Sequence, residues 1–167
     1  MSIRYARQEA LWGEEGQRKL AQAHVAVIGA GGLGSPALLY LAGAGVGRIS
    51  LFDDDVVSPS NLHRQVIHTT AAIGTPKTDS AAAALRALNP EVEISCHGRL
   101  ETATALEQLR GCDVLLDGTD NFDARYLCSW AAHSLGIPHI WASILGFDAQ
   151  MSVFWSGKGP VYEDVFP

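Results

Sequence analysis

The sequence predicts an α/β fold in which a doubly wound, mostly parallel sheet carries an antiparallel strand at one edge. Three observations lead to this fold class. Short apolar runs rich in β-branched residues alternate with longer segments whose apolar residues recur at helical spacing. Strands separated by helices in this way form parallel sheets with helices on both faces. The last short run, residues 149–155, alternates apolar and polar residues, which favours an antiparallel edge strand.

The predicted elements follow one another from residue 24 onward. Residues 25–28 are a β-branched run that ends in a glycine cluster, which is typical of a buried parallel strand. Gly45 and Gly47 end the helix that follows, and Asn89 with Pro90 ends the next one. The predicted strands cover residues 24–28, 48–52, 92–96, 114–116, 138–142 and 149–155. The predicted helices cover residues 33–44, 77–88, 104–109 and 125–135.

The polar segment between residues 53 and 76 is unusually long for the connection between a strand and a helix. Loops of this length in a compact domain are commonly functional or contain short helices of their own. Ligands of doubly wound sheets bind just outside the carboxyl ends of the strands, where this segment begins. The segment is therefore expected to contribute to a binding site.

Composition and charge exclude several classes of function. The formal net charge is −6 and no cluster of Lys or Arg is present, which argues against a nucleic-acid partner. No apolar run reaches the roughly 18 residues of a membrane span, and the N-terminus lacks the apolar core of a secretory signal. The three cysteines, Cys96, Cys112 and Cys128, are far apart. They fit a reducing cytoplasm, and each is expected to be a small buried hydrophobe.

A glycine-rich turn follows the first predicted strand. Gly29, Gly31 and Gly34 form a G-x-G-x-x-G pattern, which includes Gly32, between that strand and the next helix. Such glycines let the backbone approach a phosphate, and the helix N-terminus complements its negative charge. Asp53 lies 19 residues past Gly34 (53 − 34), where a carboxylate can accept hydrogen bonds from ribose hydroxyls. The pattern predicts a nucleotide site, but an NAD-dependent oxidoreductase would show it as well.

Polar residues beyond the second and fourth strands favour a triphosphate. Asn61, Arg64 and Gln65 lie in the long polar segment, and Lys77 begins a helix. Two cations with amide donors match the β- and γ-phosphates of ATP better than a nicotinamide. Asp120 follows the fourth strand, where a carboxylate beside a polyphosphate suits Mg²⁺. Each residue also has an ordinary alternative: Arg64 and Lys77 as surface charges, and Asp120 as the N-cap of the next helix.

Five motifs, in this order, are similar to those of one family. They are R-Y-x-R-Q at residues 4–8, G-x-G-G-L-G-S at 29–35, S-N-L-x-R-Q at 60–65, G-x-P-K at 74–77 and G-T-D-N at 118–121. The chain thereby resembles the ThiF/MoeB adenylyltransferases of thiamine and molybdopterin biosynthesis, to which the adenylation domain of ubiquitin-activating enzymes is related. The resemblance covers nearly the whole chain. It implies a single Rossmann-like adenylation domain over residues 1–167, C-terminally truncated relative to the family.

The resemblance also implies a reaction: ATP-dependent adenylation of the C-terminal glycine of a ubiquitin-like sulfur-carrier protein that ends in Gly-Gly. Arg64, Lys77 and Asp120 would act in catalysis, with Asp120 as the Mg²⁺ ligand. Arg7 would reach the ATP site of the partner subunit in a homodimer. The products would be an acyl-adenylate and pyrophosphate, formed without a protein nucleophile. The implied nucleotide-binding residues are Gly29, Gly31, Gly32, Gly34, Asp53, Asn61, Arg64, Gln65, Lys77, Asp120 and Asn121.

The chain departs from the family pattern near its end. Many family members bind zinc through two CxxC pairs, but Val161 and Asp164 stand where the first pair would lie, so no zinc site is expected. Relative to the family, we expect the sequence to lack the crossover loop and the additional sheet, and therefore to carry a complete adenylation pocket with an incomplete carrier-docking surface. His24 and His139, beside and within strands, are expected to be structural. The four tryptophans, Trp12, Trp130, Trp141 and Trp155, are expected in the core or in a dimer interface.

Three other functions share parts of this pattern. An NAD-dependent oxidoreductase is compatible with Asp53 but is disfavoured by Arg64, Lys77 and Asp120. A non-enzymatic partner of a catalytic subunit would be free to lose the pocket residues that this chain retains. Related enzymes that activate a tRNA base share the pocket, but they normally carry a basic surface that this acidic chain lacks.

Overall fold

The computed structural model describes residues 3–167 and confirms the predicted sheet. Six strands lie in the order β3-β2-β1-β4-β5-β6. The first five run parallel, and β6 pairs antiparallel with β5 at the edge. The strands are β1 (His24–Ile28), β2 (Arg48–Phe52), β3 (Glu93–His97), β4 (Val114–Asp117), β5 (His139–Leu145) and β6 (Asp148–Phe154).

Within residues 3–167, six α-helices connect or flank these strands. They are α1 (Ala6–Gln22), α2 (Gly34–Ala44), α3 (Lys77–Leu88), α4 (Ala105–Gln108), α5 (Phe122–Leu135) and α6 (Tyr162–Val165). Helix α5 begins three residues earlier than predicted, because the side chain of Asn121 caps it by accepting a hydrogen bond from the backbone N–H of Ala124. Helix α1 was not predicted from the sequence. Its residues are mostly polar, and Gly13 interrupts the helical backbone at a φ of 73°.

Two apolar clusters sandwich the sheet. Val25 and Val27 of β1 pack with α2 and α3 in one cluster. Ala26 and Ile28 of the same strand pack with α4 and α5 in the other. Because alternate residues of a strand point to opposite faces, the helices lie on both faces of the sheet, as a doubly wound fold requires.

A third, aromatic cluster holds the antiparallel edge of the sheet. Trp141 of β5, Phe154 of β6 and Tyr162 of α6 are each at most 3% exposed and pack together. The ring centroids of Trp141 and Tyr162 are 5.5 Å apart and those of Phe154 and Tyr162 are 5.6 Å apart, both edge to face. Helix α6 thus closes this end of the core through one tyrosine.

Two groups of residues differ from their predicted burial. Cys112 and Cys128 are buried as expected, but Cys96 is exposed because β3 is an edge strand of the sheet. Trp141 is buried, whereas Trp12, Trp130 and Trp155 are between 39% and 45% exposed and lie outside the core of this chain. Within residues 3–167, no helix combines the length and the hydropathy that crossing a membrane requires.

The segment from residue 53 to residue 76 contains two short 3₁₀ helices, Pro59–Asn61 and Thr70–Ala72, as its length suggested. His68 joins this segment to its surroundings. Its Nε2 lies 3.1 Å from the carbonyl oxygen of Ala30 in the glycine turn, and its Nδ1 lies 2.9 Å from Oγ of Ser80 in α3. Burial, opposed by the bond to Ala30 and reinforced by nearby Lys77, lowers the pKa of His68 below its ordinary value of 6.5.

Replacing Tyr162 tests the aromatic cluster. Tyr162→Ala should lower the free energy of unfolding by about 3–5 kcal/mol, because a large ring leaves a cavity. Tyr162→Phe should be nearly neutral, since the buried hydroxyl has no hydrogen-bond partner among residues 3–167. Urea unfolding measures both values. A loss in Tyr162→Phe as large as that in Tyr162→Ala would show that the hydroxyl, and not the packing, holds the cluster.

The lowered pKa of His68 makes stability depend on pH. Since the folded state binds a proton less readily than the unfolded state, the contribution of His68 is complete above a pH of about 6.5 and is lost as the pH falls through the folded-state pKa. The melting temperature of His68→Gln should therefore fall less between pH 7.5 and pH 5.5 than that of the parent chain. The exposed His133, replaced by Gln, is the control. Equal pH dependence in both variants would contradict this assignment.

Candidate active site

A cleft of about 1090 Å³ opens at the carboxyl ends of the central strands. The cleft lies beyond β1, β2 and β4. Strands β2 and β3 lie on one side of β1 and strands β4 to β6 on the other, and doubly wound sheets bind ligands where the strand order reverses in this way. Its volume is slightly above the roughly 300–1,000 Å³ that is typical of small-molecule sites. The predicted site residues that line it are Gly29, Gly31, Gly32, Asp53, Arg64, Gln65, Lys77, Asp120 and Asn121.

The floor of the cleft is made by two turns in close contact. Gly29 has a φ of 96°, in the left-handed region that favours glycine. A Cβ on Gly34 would overlap the carbonyl oxygen of Gly29, and a Cβ on Gly118 would lie 3.1 Å from the backbone nitrogen of Gly34. The start of α2 therefore packs against the end of β1 at a distance that only glycine allows, and the turn after β4 lies in close contact with it. Gly31, Gly32 and Leu33, which precede α2, line the cleft.

Asp53 fastens the glycine turn to the end of β2. Its Oδ2 accepts a hydrogen bond of 2.8 Å from the backbone N–H of Ala30, and its Oδ1 accepts one of 2.9 Å from that of Asp55. A carboxylate has about four acceptor positions, so both oxygens can still accept a bond from a ligand hydroxyl. Asp53, the residue predicted to bind a ribose, thus lies in the cleft and also supports the glycine turn.

Two cations, Arg64 and Lys77, line the cleft. Lys77 is only 5% exposed, and its Nζ lies 2.7 Å from Oδ2 of the exposed carboxylate of Asp55. A buried ammonium requires such a partner. Arg64 is exposed, donates a 3.2 Å bond to the carbonyl oxygen of Ser60, and lies over Gly32. Lys77 is therefore held in place, whereas the guanidinium of Arg64 remains accessible to a ligand.

Gln65 completes this side of the cleft. The residue is 4% exposed, and its Oε1 is buried without a hydrogen-bond partner among residues 3–167. Its side-chain nitrogen lies 3.6 Å from the position that a Cβ on Gly31 would take. A buried amide oxygen without a partner is rare in proteins and indicates a donor at that place, such as a ligand hydroxyl or an ordered water. The start of α2 and the two cations, which attract anions, fit a bound polyphosphate.

Asp120 stands at the rim, and its alternative role as an N-cap is excluded. The cap of α5 is Asn121, whose Oδ1 accepts a 2.9 Å bond from the backbone N–H of Ala124. Asp120 is exposed, and its carboxylate forms no hydrogen bond or ion pair with residues 3–167. An oxygen donor of this kind, beside a phosphate site, fits the preference of Mg²⁺ for carboxylates, phosphate oxygens and water.

A second group of carboxylates lies nearby but is already paired. Oxygen atoms of Asp53, Asp54 and Asp55 lie within 4.8 Å of one another. Asp55 binds Lys77, and Oδ2 of Asp54 lies 3.1 Å from Nε of Arg99. Among residues 3–167 Asp120 has no such cation partner, so its carboxylate is freer to bind a metal ion than those of Asp54 and Asp55.

Three predicted site residues do not line the cleft. Gly34 lies beneath the turn, and Oδ1 of Asn61 accepts a 3.2 Å bond from the backbone N–H of Ser58, which closes a 3₁₀ turn. Arg7 is exposed on α1, next to Gln8, whose amide donates a 3.0 Å bond to the carbonyl oxygen of Ala44 just before β2. This region is at the opposite end of the strands from the cleft. A contribution of Arg7 to the site of a partner subunit stays a prediction.

Arg125 is a cleft residue that the sequence did not reveal. Its NH2 donates a 3.1 Å bond to Oγ of Ser143, and its guanidinium lies over the rings of Phe122 and Trp141, at 5.3 and 5.7 Å. Two of these partners, Ser143 and Trp141, lie in β5, so no local sequence pattern predicts the contact. The nearest signal is the position of the arginine in the first turn of α5, four residues after Asn121.

Cys128 lines the inner wall of the cleft but is unsuited to nucleophilic chemistry. It is fully buried in α5, and burial raises the pKa of its thiol well above the usual range. Since the thiolate is the reactive form, this thiol stays protonated and inert. The groups that the cleft offers to a ligand are therefore charges and amides.

Curated proteins with similar sequences share one activity in their names. The chain is 49% identical over 160 residues to the probable adenylyltransferase/sulfurtransferase MoeZ of Mycobacterium tuberculosis, which covers 93% of this chain and 41% of that protein. It is 47% identical to the adenylyltransferase and sulfurtransferase MOCS3 of Arabidopsis thaliana, over 98% of this chain and 36% of that protein. The Thermus thermophilus sulfur carrier protein adenylyltransferase is 46% identical, over 98% and 64%. The chain thus spans between 36% and 64% of these relatives.

Solved structures share the fold. A crystal structure of Escherichia coli MccB with MccA-N7isoASN superposes with a TM-score of 0.86 at 26% identity, over 98% of this chain and 51% of that chain. The Escherichia coli tRNA threonylcarbamoyladenosine dehydratase TcdA gives a TM-score of 0.77 at 28% identity, over 82% and 58%. Both agree with the doubly wound sheet described above, and the first includes its antiparallel edge within the matched length.

The sequence model of the ThiF family covers residues 5–167, which include the glycine turn, both cations and Asp120. That match extends over nearly the whole chain, and the relatives above carry the corresponding activity in their names. The chain belongs to the ThiF family.

Proposed function

We propose that this chain adenylates the C-terminal glycine of a ubiquitin-like sulfur-carrier protein, using ATP and Mg²⁺. The observation that carries the proposal is the convergence of the glycine turn, Arg64, Lys77 and Asp120 on one cleft. Relatives with 46–49% identity are named as adenylyltransferases, and one of them as acting on a sulfur carrier protein. Pathways of molybdenum cofactor or thiamine type would supply such a carrier.

The proposed reaction forms one bond and breaks another at the α-phosphorus of ATP. A carboxylate oxygen of the carrier bonds to that phosphorus, the bond to the β-phosphate oxygen breaks, and pyrophosphate leaves with the electron pair. No proton transfer is required, because the attacking group is already an anion. The task of the protein is therefore to hold two negatively charged reactants in line and to stabilise the charge that develops.

Each side chain of the cleft has a part in this task. The open backbone of the glycine turn and the start of α2 would bind phosphate oxygens, and Asp53 would accept hydrogen bonds from the ribose. Arg64, whose guanidinium is exposed, would neutralise the charge that develops as pyrophosphate leaves. Lys77 is fixed by Asp55, so it supplies a charge at a set position. Asp120 would hold Mg²⁺, which neutralises phosphate charge when it is bound.

Two further parts of the proposal concern the assembly. A homodimer would place Arg7 of one subunit at the cleft of the other, since Arg7 is exposed on α1 and lies far from its own cleft. The reaction would take place in the cytoplasm. The cluster of cations at the phosphate side speaks against the oxidoreductase alternative, because a nicotinamide carries no group that would use Lys77.

ATP–pyrophosphate exchange with a panel of Gly-Gly-ended carrier proteins tests the proposal. Exchange should require a carrier and should fall by at least about 100-fold in Asp120→Ala, because a group that stabilises transferred charge is worth about that factor. Glu93→Ala, an exposed carboxylate at the opposite end of the sheet, should leave the rate unchanged. Carrier-independent exchange, or equal rates in the two variants, would refute the assignment of Asp120.

Lys77→Met tests where the phosphates lie. A charge-assisted hydrogen bond contributes about 1.5–3 kcal/mol, so calorimetry should show that Lys77→Met binds ATP about 10- to 150-fold more weakly. Binding of AMP should change little, since Lys77 is proposed to contact the phosphates that AMP lacks. The exposed Lys19→Met is the matched control. An equal loss of affinity for ATP and AMP would place Lys77 elsewhere.

A further inference from the structure

A buried Asp–His pair lies directly beneath the turn that carries Asp120. Asp117 ends β4 and His139 begins the neighbouring strand β5, and each is 1% exposed. Nε2 of His139 lies 3.1 Å from Oδ2 of Asp117. The parallel register of β4 and β5 pairs His139 with Leu115, and this places the ring within reach of the aspartate two residues further along. The pair is part of the sheet and not of the cleft lining.

The other oxygen of Asp117 holds the turn itself. Oδ1 accepts two hydrogen bonds from Thr119, one of 2.9 Å from its backbone N–H and one of 2.7 Å from its hydroxyl. Thr119 lines the cleft and precedes Asp120. One buried carboxylate therefore connects His139, in the core, to the residue next to the proposed metal ligand.

The turn has few other attachments. The backbone N–H of Gly118 donates a 2.9 Å bond to the carbonyl oxygen of Ile28. The guanidinium of Arg125 reaches the carbonyl oxygen of Thr119 at 3.5 Å, a long and weak contact. Asp120 itself makes no side-chain bond within residues 3–167. Its direction consequently depends on Thr119, and Thr119 depends on Asp117.

The surroundings of His139 explain why a histidine stands there. Its ring is packed among aromatic residues, with centroids 5.9 Å from that of Phe154 and 6.2 Å from that of Tyr162. Nδ1 has no hydrogen-bond partner among residues 3–167, so the bond to Asp117 is the one polar contact of the ring in that part of the chain. An apolar ring would pack equally well but would leave Oδ2 of Asp117 buried without a donor, which is costly for a carboxylate.

We propose that His139 is a positioning residue, which holds Asp117 so that Asp117 and Thr119 set the direction of the Asp120 carboxylate. Without a donor at Oδ2, the Asp117 side chain would rotate toward another donor. This rotation weakens its two bonds to Thr119 and loosens the turn. The part of this inference that concerns Mg²⁺ rests on the proposed function. The part that concerns the turn does not.

Two variants separate positioning from packing. His139→Phe keeps an aromatic ring but removes the donor, whereas His139→Gln keeps an N–H that can reach Asp117. Phe154→Leu disturbs the same cluster without touching the polar connection and serves as the control. Amide hydrogen exchange of Thr119 by NMR, on the ligand-free chain, measures the turn directly. Exchange should accelerate at least about 10-fold in His139→Phe and return toward the parent rate in His139→Gln, with no selective change in Phe154→Leu.

ATP binding measured with Mg²⁺ and with EDTA gives the functional readout. In His139→Phe, the ratio of the ATP affinity in Mg²⁺ to that in EDTA should be at least about 10-fold smaller than in the parent chain, while the affinity in EDTA should be unchanged. In His139→Gln, this ratio should return to the parent value. Unchanged Thr119 exchange and an unchanged Mg²⁺ gain in His139→Phe would overturn the inference and leave His139 a packing residue. If the parent chain does not bind ATP, the proposed function fails and the exchange rates alone decide the positioning role. Should His139→Phe not fold, Thr119→Val, which removes one bond to Asp117, is measured in the same way.

Discussion

The close contact between two glycine turns is the constraint on which the rest of the site depends. Within the turn after β1, Gly34 lies against the carbonyl oxygen of Gly29, and between the two turns Gly118 lies against the backbone nitrogen of Gly34. Any side chain at Gly34 would overlap the carbonyl of Gly29 and displace the start of α2. Because the turns touch, the glycine turn and the carboxylate of Asp120 belong to one cleft. The sheet order makes this possible, since β1 and β4 are neighbours in space though far apart in sequence.

The charged side chains around this contact differ in how firmly they are held. Lys77 is buried and paired with Asp55, whereas Arg64 and Asp120 are exposed. A fixed cation contributes to binding without a cost of ordering, and exposed groups can move to meet a ligand. The supporting shell uses two histidines in the same manner: His68 holds the carbonyl of Ala30 and His139 holds Asp117. Each ties a ligand-facing turn to the core.

Local sequence signals predicted most of the fold. Strands β1 and β2 and helix α3 have the predicted bounds, because glycine, proline and β-branched residues mark their ends and interiors. Nine of the predicted site residues line the cleft, because they follow strand ends or lie in the long connection after β2. Contacts between distant segments escaped prediction. Arg125 meets partners from β5, Cys96 is exposed by its place at the sheet edge, and His139 reaches Asp117 only through the strand register.

Isotope labelling of the carrier protein's C-terminal carboxylate tests adenylation most directly. A carrier protein whose C-terminal carboxylate is labelled with ¹⁸O is incubated with this chain, ATP and Mg²⁺, and the acyl-adenylate is then cleaved by a thiol nucleophile. Attack on the α-phosphorus predicts that one labelled oxygen leaves in AMP and none in pyrophosphate. Label found in pyrophosphate or in orthophosphate, or turnover of ATP without AMP, would contradict adenylation as the reaction of this cleft.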